Sequence, residues 1–207
     1  KIYAISFFVN SNEANKYKEF SNVSEFVISC NTEEDCGDVS YLAESRWNYA
    51  FWRQDETPII YTYEENEGTE ILFKWYMENG INDIGVENEN SMYDKNFNYI
   101  GKGPIGYYEL LTAVSNVARR FQEEGFIFKK FGYSIPIIVH DLEYPWYVQE
   151  ATKNANPNGE AESVTVLLKP NARVRKNKIE IDFSELAIKG RDSKGNLVTK
   201  YAVKKVD

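Results

Sequence analysis

The apolar residues of this chain change their spacing once, and that change governs what it can fold into. Up to about residue 155, short apolar runs alternate with stretches whose apolar side chains fall three or four apart. Beyond the polar passage "NANPNG" they recur every second residue, in "SVTVLL", "KIEIDF", "LAIKG" and "NLVTKYAV". The first spacing gathers apolar groups on one face of a helix, the second on one face of a strand. The expected class is α+β: a mixed sheet with packed helices over residues 1–155, followed by an all-β tail of hairpins over residues 156–207.

The charge changes sign at the same place. Residues 1–159 hold 13 Lys and Arg against 25 Asp and Glu, a net of −12. Residues 160–207 hold 11 against 7, a net of +4, and the 207-residue chain stands at −8. An acidic body repels nucleic acid and steers basic proteins toward itself, whereas a basic tail does the reverse. The expected division is thus an acidic domain over 1–155 and a basic hairpin segment over 156–207.

Within the body, "IYAISFFV" and "EFVIS" predict paired strands, "PIIYTY" another, and "IPIIVH" a fourth. Leu42, Arg46, Tyr49 and Trp52 predict an aromatic-faced helix running from Asp38 to before Pro58. "TEILFKWYMENG" predicts a helix with Thr69 as N-cap, Leu72, Trp75 and Tyr76 on one face, and a stop at Asn79-Gly80. "GPIGYYELLTAVSNVARRFQEEG" predicts a single helix over 104–124 that opens on Pro104. Its inward stripe is Leu110, Leu111, Val114, Val117, Ala118 and Phe121, with a left-handed cap at Gly125. "FIFKKF" is expected as a strand, and "EYPWYVQEATKNANPNGEAE" as a short helix entering a linker.

The chemistry-bearing residues are few. Cys30 and Cys36 flank "NTEED" without a second Cys pair or a His cluster, which argues against a zinc site. A disulfide across that loop is one reading and a pair of reduced structural thiols the other; the second favours the cytoplasm. No run approaches the ~20 apolar residues of a membrane span, and no charged leader precedes an apolar core. The chain opens on Lys1 rather than Met, which leaves room for an upstream segment.

The single histidine, His140, ends an apolar run and precedes Asp141 and Glu143. It could serve as a general base whose pKa the acidic neighbours raise; the plainer reading is a hydrogen-bonded surface or cap residue. No nucleophile elbow, phosphate loop, dinucleotide fingerprint or zincin motif is present, so no catalytic residue, metal or cofactor is assigned. "GKGPIG" offers glycines ahead of a helix, but Pro104 removes a donor and the stretch is expected to be a turn. "RWNYAFW" and "KWYMENG" resemble stacking platforms, yet aromatics at helical spacing are expected in the core.

The phrases "NPNGEAE", "LLKPNARVRK", "DFSELAIKGR" and "SKGNLVTKY" follow one another over about a quarter of the chain. This region resembles the C-terminal region of the tyrosine-bearing subunit of bacterial type IIA topoisomerases, the topoisomerase IV and gyrase group. The resemblance implies a β-pinwheel blade that guides DNA with basic side chains. It also implies that the nucleophilic tyrosine domain and the ATPase partner lie outside these residues. Gyrases carry a glycine-rich basic box here; Arg191, Lys194 and Gly195 match it, while Asp192 and Ser193 stand where inner glycines would be, as in the degenerate box of topoisomerase IV types. Residues 1–155, through "YAISFF", "FVISCNTEEDC", "RWNYAFW", "YYELLTAVSNVARRFQEEGF" and "IPIIVHDLEY", resemble more loosely a bacterial α+β family of unknown function, similar in style to toxin-immunity proteins.

The basic residues expected to meet DNA are Lys189, Arg191, Lys194 and Lys200 on the terminal hairpin, with Arg173, Arg175, Lys176 and Lys178 in "RVRKNK". Lys and Arg on an exposed hairpin also keep its edges soluble, and the residues alone support both readings equally. The topoisomerase resemblance favours DNA. The alternative function is an acidic module that binds a basic protein and carries an incidental basic tail.

Overall fold

The computed structural model describes residues 1–10, 24–37, 40, 43–53, 55–60, 67–86, 92–142, 145–162, 164, 187–191 and 197–201. The chain divides into two compact units, Lys1–Ala172 and Arg173–Asp207.

Strand β1 (Ile2–Asn10) is the spine of the first unit. It pairs antiparallel with β2 (Glu25–Thr32) and parallel with β4 (Ile137–His140), and β2 pairs antiparallel with β3 (Thr57–Ile60), giving the order β3-β2-β1-β4. Ile5, Phe7 and Val9 enter a large core on one face, while Ala4 enters a second core on the other. Covering both faces explains why β1 and β4 read as nearly unbroken apolar runs.

The large core is closed by helices α3 (Glu67–Glu78), α4 (Tyr107–Glu123) and α6 (Trp146–Ala155). The second is closed by Trp47, Tyr49 and Trp52, which follow the one-turn helix α1 (Glu33–Cys36) and lie in or beside the one-turn helix α2 (Glu44–Trp47) and the 3₁₀ turn Tyr49–Phe51. Ala161 and Val164 pack there too.

Several expectations are corrected. The helix expected between Asp38 and Pro58 is a single turn, because Asn48 adopts an extended backbone and its side chain accepts from the Ala50 amide, starting a new turn. Arg46, Tyr49 and Trp52 are nonetheless buried, as their spacing suggested. Thr69 is a buried residue inside α3 rather than its N-cap. Helix α4 starts at Tyr107, after a left-handed Gly106, so Pro104 precedes it. Val117 is 45% exposed, and the buried stripe extends instead to Ser115 and Gln122. Those two are polar yet buried because each donates to a backbone carbonyl, Ser115 to Ala151 and Gln122 to Ile135.

"FIFKKF" is the short helix α5 (Phe126–Phe131), not a strand. Left-handed glycines bound it on both sides, Gly125 and Gly132, and the i,i+4 pair Ile127 and Phe131 faces the core. A six-residue run with apolar groups at both spacings carries either period.

The passage expected to be a linker is packed through Val164. Asn156 is buried, and together with Thr152 it covers the outer edge of β4. Thr152 Oγ1 accepts from the Val139 amide and donates to the Val139 carbonyl; Asn156 Oδ1 accepts from the Ile137 amide and its Nδ2 donates to the Ile137 carbonyl. Two side chains four apart, one in the last turns of α6 and one at its end, thus replace a missing neighbour strand along these residues.

In the second unit, β5 (Ala187–Arg191) pairs antiparallel with β6 (Leu197–Tyr201). The other strands expected in the tail lie outside the described residues.

Candidate nucleic-acid interface and buried polar clusters

The β5–β6 ladder places three of the eight basic residues expected to meet DNA. Lys189 pairs with Thr199, Arg191 with Leu197, and Lys200 with Ile188. Residues two apart in a strand share a face with each other and with their cross-strand partners. Lys189 and Arg191 therefore stand on one face of the hairpin and Lys200 on the other. Arg173, Arg175, Lys176, Lys178 and Lys194 lie outside the described residues.

In the body, His140 is neither a surface residue nor a cap. It is fully buried at the end of β4, with Nε2 2.7 Å from Ser6 Oγ and its ring beside those of Phe8 and Tyr49. Burial pushes its pKa down to about 3, opposite to the rise expected from acidic neighbours. Asp141 exerts no such effect because it faces the other core, where Oδ2 accepts from the Tyr107 and Tyr147 hydroxyls at 2.8 and 3.0 Å. Burial, followed by that carboxylate, holds both phenols well above their ordinary range. The Ser6–His140 pair has the members of a nucleophile and base, and both residues are buried.

A second cluster surrounds Arg46, which sequence reasoning placed only by spacing. Its Nη2 donates to both Glu33 carboxylate oxygens at 2.6 and 2.7 Å, its guanidinium lies 4.1 Å over the Tyr3 ring, and Nη1 meets Cys36 Sγ at 3.5 Å. Cys30 and Cys36 are free thiols. They face different cores, Cys30 toward the helices and Cys36 toward the tryptophans, which explains the absence of a bridge. Among the described residues no group of three or more His, Cys, Asp or Glu could hold a metal ion, and no helix is long and apolar enough to cross a membrane.

The geometry thus defines a mixed α+β body with two buried polar clusters, and a two-stranded antiparallel ladder that contains Lys189, Arg191 and Lys200. Residues 148–207 match the family model "Topoisomerase C-terminal domain, Bacteroidota", so this segment is similar to that domain. No curated protein and no solved structure matches the chain. The match begins at Val148, inside α6, and so includes Thr152, Asn156, Ala161 and Val164, all packed into the first unit. The wording of the tail carries this resemblance from about residue 155 onward; the helical start of the match carries no period-two signal.

Proposed function

We propose that this chain is a non-catalytic, DNA-binding accessory segment of a type IIA topoisomerase-like protein, working in the cytoplasm. The observation that carries this reading is the family match over 148–207, which coincides with the basic part of an otherwise acidic chain. Lys189 and Arg191, which share one face of the β5–β6 ladder, contact phosphate oxygens together with Lys194, Arg173, Arg175, Lys176 and Lys178 and hold the duplex without reading its bases, while Lys200, expected from the sequence to join them, stands on the opposite face. The segment is one blade of a β-pinwheel, and strand cleavage belongs to residues outside it. The acidic body opposes binding by repulsion, but charges more than a Debye length of about 8 Å apart are largely screened at physiological salt, so the basic cluster wins if it faces away from the body.

Titrating labelled duplexes of unrelated sequence with the whole chain at low and moderate salt tests the proposal. Sequence-independent affinity that falls with salt, and that falls evenly in the Arg191→Ala/Lys194→Ala variant, is the expected result. No binding at low salt would reduce the hairpin to solvated surface.

A further inference from the structure

Helix α5 carries aromatic and basic side chains that the core does not use. At about 100° per residue, Ile127 and Phe131 fall on the side that faces the core, and the outer arc runs Phe128, Lys129, Phe126, Lys130. Aromatic and basic residues therefore alternate across the exposed side of one short helix. Phe126 is 51% and Phe128 61% exposed, and both lysines are exposed as well.

The Phe126 ring is held in place. Its centre lies 5.2 Å from that of Phe121, which in turn meets the buried Phe7 ring edge to face at 6.3 Å. Phe126 thus rests on the body through Phe121, and its exposed part is presented with little rotamer freedom left to lose on binding.

This surface is positive within an acidic body. Residues 125–140, all of them described, contain Lys129 and Lys130 and no acid. The acids just before them are already engaged, Glu123 with Arg119 at 2.8 Å and Glu124 with Arg120 at 3.0 Å. Lys129 donates to the Glu124 carbonyl, and among the described residues no carboxylate pairs with either lysine. Just past the helix, Lys1 lays its ammonium 4.2 Å from the centre of the Tyr133 ring and adds a third cation.

Such a surface suits an anionic partner that carries flat apolar groups between its charges. A carboxylate-rich polypeptide satisfies the lysines but gains nothing from the ring faces, which are themselves negative. A duplex keeps its bases stacked inside, and an anionic bilayer presses a broad negative surface against a body of net −12. A single strand offers phosphates to the lysines and unstacked bases to the rings, and it is thin enough to meet this patch alone. We infer that the outer face of α5 binds single-stranded nucleic acid, with bases stacked on Phe126 and Phe128 and phosphates beside Lys129 and Lys130. The surface lies on the body and does not rest on the DNA-binding reading of the tail.

The test uses the whole chain and two fluorescein-labelled strands followed by anisotropy, an oligothymidylate and an abasic strand with the same number of phosphates. Each stacked base is worth roughly tenfold in affinity. The oligothymidylate is therefore expected to bind about a hundredfold more tightly, and Phe126→Ser and Phe128→Ser each to remove about tenfold of that preference. Lys130→Ala should lower the slope of log affinity against log salt by about 0.7 for both strands. Both rings are more than half exposed, so the variants should melt within a few degrees of the native chain. Arg191→Ala/Lys194→Ala should weaken duplex binding and leave the preference between the strands intact, so the two readings can fail separately. Equal binding of the two strands, absence of binding, or a preference that survives both Phe substitutions overturns the inference. Loss in Phe128→Ser of affinity for a duplex, for phosphatidylserine vesicles or for a polyglutamate peptide would assign the surface to that partner and also overturns it.

Discussion

Asn156 holds Ile137 by both of its backbone groups, accepting from the amide at 2.9 Å and donating to the carbonyl at 2.7 Å. The same Oδ1 also accepts from Gln122 at 3.2 Å, so one side chain joins the end of α6 to β4 and α4. The topoisomerase-like match therefore starts in an element on which the acidic body depends. Replacing Asn156 with Leu strands a buried amide and carbonyl, each costing about 1–3 kcal/mol. Urea unfolding should show Asn156→Leu to be less stable by about 2–4 kcal/mol. A chain ending at Ala155 should lose at least as much, whereas a true linker could be removed without effect.

His140 should make stability depend on pH in one direction. Its folded pKa, about 3, lies below the ordinary 6.5, so between those values the unfolded chain binds the extra proton and acid favours unfolding. Stability from this group is fully present above about pH 6.5 and falls by up to about 1.4 kcal/mol per pH unit below it. Carboxylates contribute their own dependence, so the measurement is the difference between the native chain and His140→Gln in denaturant midpoints from pH 7 to 5. The native chain should lose more stability over that range. Equal losses would mean that His140 is solvated.

Helix α4 separates two valines that sequence periodicity treats alike. Val114 is 5% exposed and Val117 45%. Val114→Asp should unfold the body by burying an unpaired charge, while Val117→Asp should cost less than about 1 kcal/mol. Circular dichroism melts of the two variants check this directly; a collapse of Val117→Asp would restore the expectation that it packs inward.

These contrasts show which signals the sequence carries. Strands β1 and β4 were legible because burial on both faces selects apolar residues at nearly every position, and α4 because its stripe runs through seventeen residues. Val117 was misplaced because a helix's buried arc is set by its neighbour. The carbonyls of Ala151 and Ile135 draw Ser115 and Gln122 inward, and Val117 is left on the opposite flank. The Asn156 clamp was illegible for a related reason: a buried asparagine whose hydrogen bonds are satisfied has the same letter as one in a loop. Arg46 is similar, since its partner Glu33 lies thirteen residues away on another element.

The hairpin register sharpens what DNA binding should look like. Lys189 and Arg191 share a face of β5, and Lys200 stands on the opposite one. A duplex lying against one face of a two-stranded ribbon meets the first pair and not the third. Removing one phosphate interaction should lower the slope of log affinity against log salt by about 0.9. Lys189→Ala and Arg191→Ala are thus each expected to reduce the slope by that amount, and Lys200→Ala to leave it nearly unchanged. Fluorescence titrations of one duplex over a series of salt concentrations measure all three slopes. Equal reductions in every variant would mean that the tail acts as a diffuse cation rather than through a face, and no reduction in any would remove β5 from the interface.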